Sequence, residues 1–236
     1  MRSEVVKQFR AEVLPRLAGV PKVAMVGGSS TDPELPQLPD GVTVSYFGVE
    51  ESLDQTDFYY LDLNEIDHTL KPQYDLVISS QVLEHVWDLR SATINLARLV
   101  RPGGLLWLAC PASNFPHGSP HYYSAGYSPE LLTRLLASAD LEIVSSGCLG
   151  SKRNYVWTHA FRHWPSDYES SHPVSARFIA NLRSDGRAWK RVWQAVKGLR
   201  TILLLPLDAT VQHNIDYATE SWALARKPEI HASIDA

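Results

Sequence analysis

The chain is poor in sulfur, in net charge and in long apolar runs. Two cysteines in 236 residues cannot build a disulfide framework. Cys110 and Cys148 each end or follow an apolar stretch, so both are expected as buried, reduced thiols without a catalytic role. A formal net charge of −4 excludes a broad basic face for nucleic acid. The first ten residues (MRSEVVKQFR) hold no apolar core of the kind a secretory leader needs, and the apolar run 201–207 is far too short to span a bilayer. A cytoplasmic protein without a transmembrane segment is the expectation. Internal repeats and low-complexity tracts are absent too.

What is present is concentrated in residues 74–111 (YDLVISSQVLEHVWDLRSATINLARLVRPGGLLWLACP). The run reads as a buried strand (75–79), a polar crossing (80–88), an amphipathic helix (89–99), a tight Pro-Gly-Gly turn and a second buried strand (105–110). Strand, helix, strand is the right-handed crossover of a parallel sheet, and such sheets bind ligands beyond the carboxyl ends of their strands. Here that end carries Ser79, Ser80, Gln81, Glu84 and His85.

The rest of the chain alternates in the same way. Residues 3–17 have a helical apolar stripe (Val5, Val6, Phe9, Val13, Leu14, Leu17), within an N-terminal helical region over 1–20. Strands are expected at 22–26, 42–49, 58–61, 141–145 and 219–225. A helix is expected at 128–138, with Ser128 as N-cap and Pro129 at its first position. Pro33, Pro36 and Pro39 forbid a long helix between the first two strands. The last two strands are separated by residues 146–217, with apolar helical patterns near 174–182 and 188–204. A helical cap inserted into one domain spanning 1–236 accounts for that length. The apolar helix 188–204 could equally serve a homodimer, and the sequence does not choose.

Three motifs carry a resemblance. Tyr74-Asp75-Leu76-Val77-Ile78-Ser79, Val82-Leu83-Glu84-His85-Val86 and Leu99-Val100-Arg101-Pro102-Gly103-Gly104 stand in the order and spacing seen in class I S-adenosylmethionine-dependent methyltransferases. The chain resembles the members that act on small molecules and sugars, well over 22–149 and loosely over 219–227. The resemblance implies a doubly wound, mostly parallel, seven-stranded Rossmann-like α/β sheet, with the cap between the last two strands. It implies S-adenosyl-L-methionine as cofactor and O-methylation of a small molecule or glycan; no metal-ligand set stands at recognisable spacing. The departure lies at the first strand. Met25 stands where the family carries an acid, and Gly27-Gly28-Ser29 keeps only the first glycine of its G-x-G-x-G in register.

The same resemblance implies site residues. Gly27 and Gly28 would let the backbone approach the methionine part of the cofactor. Glu50 would accept from the ribose hydroxyls, with Glu51 or Asp54 as alternatives. Asp62 would accept from the adenine amine, beside the Leu63 amide; its plain alternative is a cap for Asn64 onward. Gln81 and His85 would line the methionine end; Gln81 is the better candidate for direct contact and a catalytic role, whereas His85 is expected first as a structural partner of Glu84. His121 is expected as the general base or a substrate-positioning group, with His117 as a weaker candidate. His159 and His163, four apart, have no third ligand at recognisable spacing and are expected to be structural. A methyltransferase fold that has become a binding or scaffold module is the competing reading, motivated by Met25, Ser29 and the missing first helix.

Overall fold

The computed structural model describes residues 2–50, 57–114, 120–150 and 218–229. Seven strands form one sheet: β1 (Lys22–Val26), β2 (Thr43–Gly48), β3 (Phe58–Tyr60), β4 (Tyr74–Ser80), β5 (Val100–Pro111), β6 (Glu142–Leu149) and β7 (Glu220–Arg226). Their order is β3-β2-β1-β4-β5-β7-β6. The neighbours from β3 to β5 pair in parallel, whereas β7 is antiparallel to both β5 and β6. The expected mostly parallel sheet is present. β6 runs through Leu149, so residues 146–149 belong to the sheet; the remainder of the expected cap and its two helical patterns lie outside the described residues.

Among the described residues, three α-helices cover the sheet: α1 (Arg2–Glu12), α2 (Leu89–Leu99) and α3 (Pro129–Ser138). Helix α1 ends five residues short of the expected stripe. Pro15 lacks a donor and crowds the preceding turn, so the chain tightens into a 3-10 turn over Leu14–Arg16. The Asp88 carboxylate caps α2 by accepting from the Arg90 and Ser91 amides, and Ser128 caps α3 by accepting from Leu131 N–H. Phe9 of α1 meets Trp107 of β5 edge-on at 5.5 Å, and Trp107 stacks on Trp222 of β7 at 5.5 Å. With Met25, Leu76 and Ile78 these rings fill the core under α1. Val77, Leu106 and Leu108 face the other way, onto Leu96 of α2 and Leu132 of α3.

The Pro-Gly-Gly segment is part of β5 rather than a separate turn. Gly103 takes φ +75° and its amide donates to Lys227 O at 2.9 Å, so β7's end pairs with it. A side chain at Gly104 would lie 2.9 Å from Tyr74 O, which only glycine permits. At the amino edge of the sheet, Asp75 accepts from Lys22 N–H at 2.7 Å and from Arg101 Nε at 2.6 Å, tying β1, β4 and β5 together.

The connections on the two sides of β4 differ. Those from β4 to β5 and from β5 to β6 pass through α2 and α3. The one from β1 to β2 carries only a 3-10 turn at Leu35–Gln37, as the three prolines require. Among the described residues, the connections from β2 to β3 and from β3 to β4 carry no α-helix either. The loops at the carboxyl tips of β1 and β3 are therefore held, among the described residues, by side-chain hydrogen bonds rather than by helices.

Candidate active site

Past β1, Gly27 adopts φ +70° and donates its amide to Phe47 O at 2.7 Å. A side chain there would be strained and would strike Val82 at 2.6 Å. One at Gly28 would meet the Asp32 carboxylate and the Met25 thioether. Both glycines are thus demanded first by the chain's own packing. Asp32 folds back over the turn and accepts from Ser29 N–H at 2.7 Å. The loop then delivers a second carboxylate: Glu34, 2% exposed, accepts from Ser80 Oγ at 2.8 Å. The acid that Met25 fails to supply at the end of β1 is brought to the tip of β4 from the proline loop. Local pattern could not reveal it, because an acid between two prolines reads as solvated loop.

Past β2, Glu50 is exposed, and the alternatives Glu51 and Asp54 lie outside the described residues. Past β3, Leu61 and Leu63 are buried and hold Asp62 between them at the surface. Asp62 Oδ1 accepts from the Asn64 amide at 2.9 Å and from Asn64 Nδ2 at 3.0 Å. Asn64 Oδ1 in turn accepts from the Trp87 and Asp88 amides at 2.9 and 3.2 Å. The capping alternative for Asp62 is realised as a turn with no helix after it. That turn fixes the β3 loop against the loop following β4.

Past β4, Gln81 takes φ +60°, a left-handed backbone uncommon for a residue with a side chain. Its amide donates to Ala109 O, and its Nε2 donates to Glu220 Oε2, each at 2.8 Å. Donating through nitrogen settles which way the amide points and leaves the carbonyl oxygen as the group it can offer a ligand. Residues Leu83–His85 form a 3-10 turn in which Glu84 is wholly buried. Three bonds clamp that turn to the loop leaving β5: Tyr127 OH donates to Leu83 O at 2.9 Å, Tyr123 N–H donates to Glu84 O at 2.8 Å, and His85 Nδ1 meets His121 O at 2.5 Å. Burial, then the nearby Glu84 carboxylate, raises the Tyr122 hydroxyl above its ordinary pKa. Burial, then Glu84 and Glu220, pushes the Cys110 thiol well up, so neither group is a base or nucleophile near neutral pH. Both cysteines are buried and free, and β7 runs between their strands. Two strand spacings, about 10 Å, exceed a disulfide's reach.

Of the expected site residues, Gly27, Gly28, Glu50, Asp62, Leu63, Gln81 and His85 follow the carboxyl ends of β1 to β4, Glu50 being exposed. His121 is exposed and enters the network through its main-chain carbonyl. His117, His159 and His163 lie outside the described residues. Glu34 and Glu220 are the acids the sequence did not single out.

A family model described as a methyltransferase domain matches residues 48–108, the span from the tip of β2 to the middle of β5. No curated protein matches the chain. Among solved structures, the [4+2]-cyclase SpnF is similar over 96% of this chain and 80% of its own, at 16% identity and a TM-score of 0.55. A SAM-dependent methyltransferase from Archaeoglobus fulgidus is similar over 96% and 95%, at 13% identity and a TM-score of 0.53. The 1,6-didemethyltoxoflavin-N1-methyltransferase of Burkholderia thailandensis, with S-adenosylhomocysteine bound, is similar over 95% and 78%, at 13% identity and a TM-score of 0.50. The chain therefore carries a match to a methyltransferase domain over residues 48–108, on a seven-stranded sheet that has the class I methyltransferase fold.

The chain's own donors and acceptors suit S-adenosylmethionine. Asp32 and Glu34 carry negative charge to the tips of β1 and β4, where an ammonium and a sulfonium would be stabilised by nearby carboxylates. Asp62 and Glu50, beyond the adjacent β3 and β2, carry carboxylate oxygens that could accept from an amine and from paired hydroxyls.

Proposed function

We propose that the chain transfers the methyl group of S-adenosylmethionine to a hydroxyl of a small molecule or glycan. The observation that carries this reading is the single row of acceptors at the strand tips: Asp62, Glu50, Glu34 and Gln81, in sheet order from β3 to β4. In this reading Asp62 and the Leu63 amide hold the adenine edge, and Glu50 holds the ribose. Gly27 and Gly28 carry the backbone past the methionine part, with Asp32 and Glu34 facing its ammonium. When bound, the cofactor supplies the electrophilic methyl. The protein aligns the acceptor in line with it and removes the acceptor's proton. Gln81, His85, His117 and His121 are the groups on the β4 and β5 loops available for that work.

Calorimetry with S-adenosylhomocysteine tests the reading. Wild-type protein is expected to bind, and the Glu50→Ala, Asp62→Ala double variant is expected to lose binding while still unfolding cooperatively in a thermal melt. Absence of heat with the wild type ends it. One observation favours a second reading, a fold kept for partner binding: the Asp32 carboxylate occupies the Ser29 amide, the first main-chain donor after the two glycines. SpnF carries a cyclisation on the same fold, so binding must be followed by transfer of a radiolabelled methyl group to a panel of sugars and phenols. Bound cofactor with no transfer to any acceptor favours the second reading.

A further inference from the structure

The expected general base was His121, yet the bonding around the β4 loop points to a different imidazole. A carbonyl oxygen can only accept, so the contact between His85 Nδ1 and His121 O requires the proton of His85 to sit on Nδ1. The neutral ring then carries its lone pair on Nε2. The same carbonyl goes on accepting from Nδ1 once Nε2 is protonated, so the ring takes up a proton without turning over. A buried carboxylate fixes the imidazole of a serine protease by the same logic.

Position supports the role. His85 closes the 3-10 turn that follows left-handed Gln81, and Trp87, two residues on, is tied through Asn64 to Asp62. The turn that carries the ring therefore links the β4 loop at Gln81 to the β3 loop at Asp62. The Tyr122 ring packs edge-on against it at 6.1 Å, and the Tyr123–Glu84 bond holds the backbone of the turn. The neighbouring candidates are poor bases: Tyr122, Tyr127 and Cys110 are all kept protonated, burial being the first cause for each.

We propose that His85 is the general base of the reaction, and that His121 positions it through its main-chain carbonyl. This rests on the function proposed above. As the acceptor oxygen's electron pair closes the new C–O bond, the C–S pair returns to sulfur and neutralises the sulfonium. The hydroxyl proton passes to His85 Nε2, and water later removes it.

The test reads the ring directly. Protein with 15N-labelled histidine is measured by long-range proton–nitrogen correlation, with His85→Gln used to assign the signal. Nε2 is expected to be the unprotonated nitrogen of the neutral ring. It is expected to shift more with sinefungin, whose ammonium stands where the methyl-bearing sulfonium would, than with S-adenosylhomocysteine. A proton on Nε2 in the neutral ring overturns the proposal. So does an Nε2 unmoved by sinefungin while calorimetry shows S-adenosylhomocysteine bound. If neither ligand binds, the function proposed above has failed, and the base role falls with it for that separate reason. With any acceptor that turns over, His85→Asn retains a donor for the His121 carbonyl and removes the base. It is expected to lower kcat about 100-fold or more at unchanged melting temperature. An unchanged rate overturns the proposal, as does a loss seen in His121→Ala and not in His85→Asn.

Discussion

The two halves of the sheet are built on different principles. From β4 onward the chain follows regular rules: a capped helix α2, a long buried strand β5, and a second capped helix α3. From β1 to β3 it dispenses with α-helices among the described residues and holds its loops by isolated polar contacts, namely Asp32 to Ser29, Glu34 to Ser80 and Asp62 to Asn64. Helical crossovers stabilise a sheet by burying apolar stripes. Polar loop contacts bury little, but they aim carboxylates. The regular half carries the larger buried core, and the irregular half carries most of the proposed ligand row.

Substitutions should separate those roles. The largest effect is expected in the regular half: Trp107→Ala removes a fully buried ring that touches both Phe9 and Trp222, and should cost about 3–5 kcal/mol in urea unfolding. A cost under about 1 kcal/mol would mean that this core is loosely packed. In the irregular half, Asp62→Ala should weaken S-adenosylhomocysteine binding by about tenfold or more in calorimetry, from roughly 1–3 kcal/mol for an unpaired polar partner. Gly27→Ala forces a side chain into the left-handed region and against Val82, and should cost about 1–2 kcal/mol from the backbone alone. If it is silent in thermal melting, the turn is not held as described. Ser128→Ala removes the α3 cap and should cost about 1 kcal/mol in the same assay.

The finest test is one of pH. Burial acts to raise the Asp75 pKa, but donation from Lys22 N–H and from Arg101, with the guanidinium's charge, outweighs it and holds the carboxyl below its ordinary value of 3.8. A depressed carboxyl contributes stability that is complete above that ordinary value and is lost as pH falls through the folded one. Asp75→Asn should therefore flatten the loss of urea stability below about pH 4. An unchanged acid limb would show that the β1–β4–β5 staple contributes nothing.

The difference between the halves also explains what could be read in advance. The 89–99 helix was legible because its apolar period and flanking Asp88 are local properties. The lack of a long helix between β1 and β2 is legible because proline acts on its own turn. Other features were not legible. Glu34, Glu220 and the Gln81 clamp depend on partners 46 and 139 residues away. The Pro-Gly-Gly segment reads locally as a turn, yet it is strand because β7 returns to pair with it.

The order of residues along the chain fixed the strands, the helix α2 with its cap and the class of sheet they form, because each rests on contacts within a few residues or on apolar periodicity. Which carboxylates stand at the strand tips, and which histidine nitrogen keeps its lone pair, was decided only when the sheet brought distant loops together. Hydrogen bonds of that kind act over about 3 Å, and the sequence records no such distance.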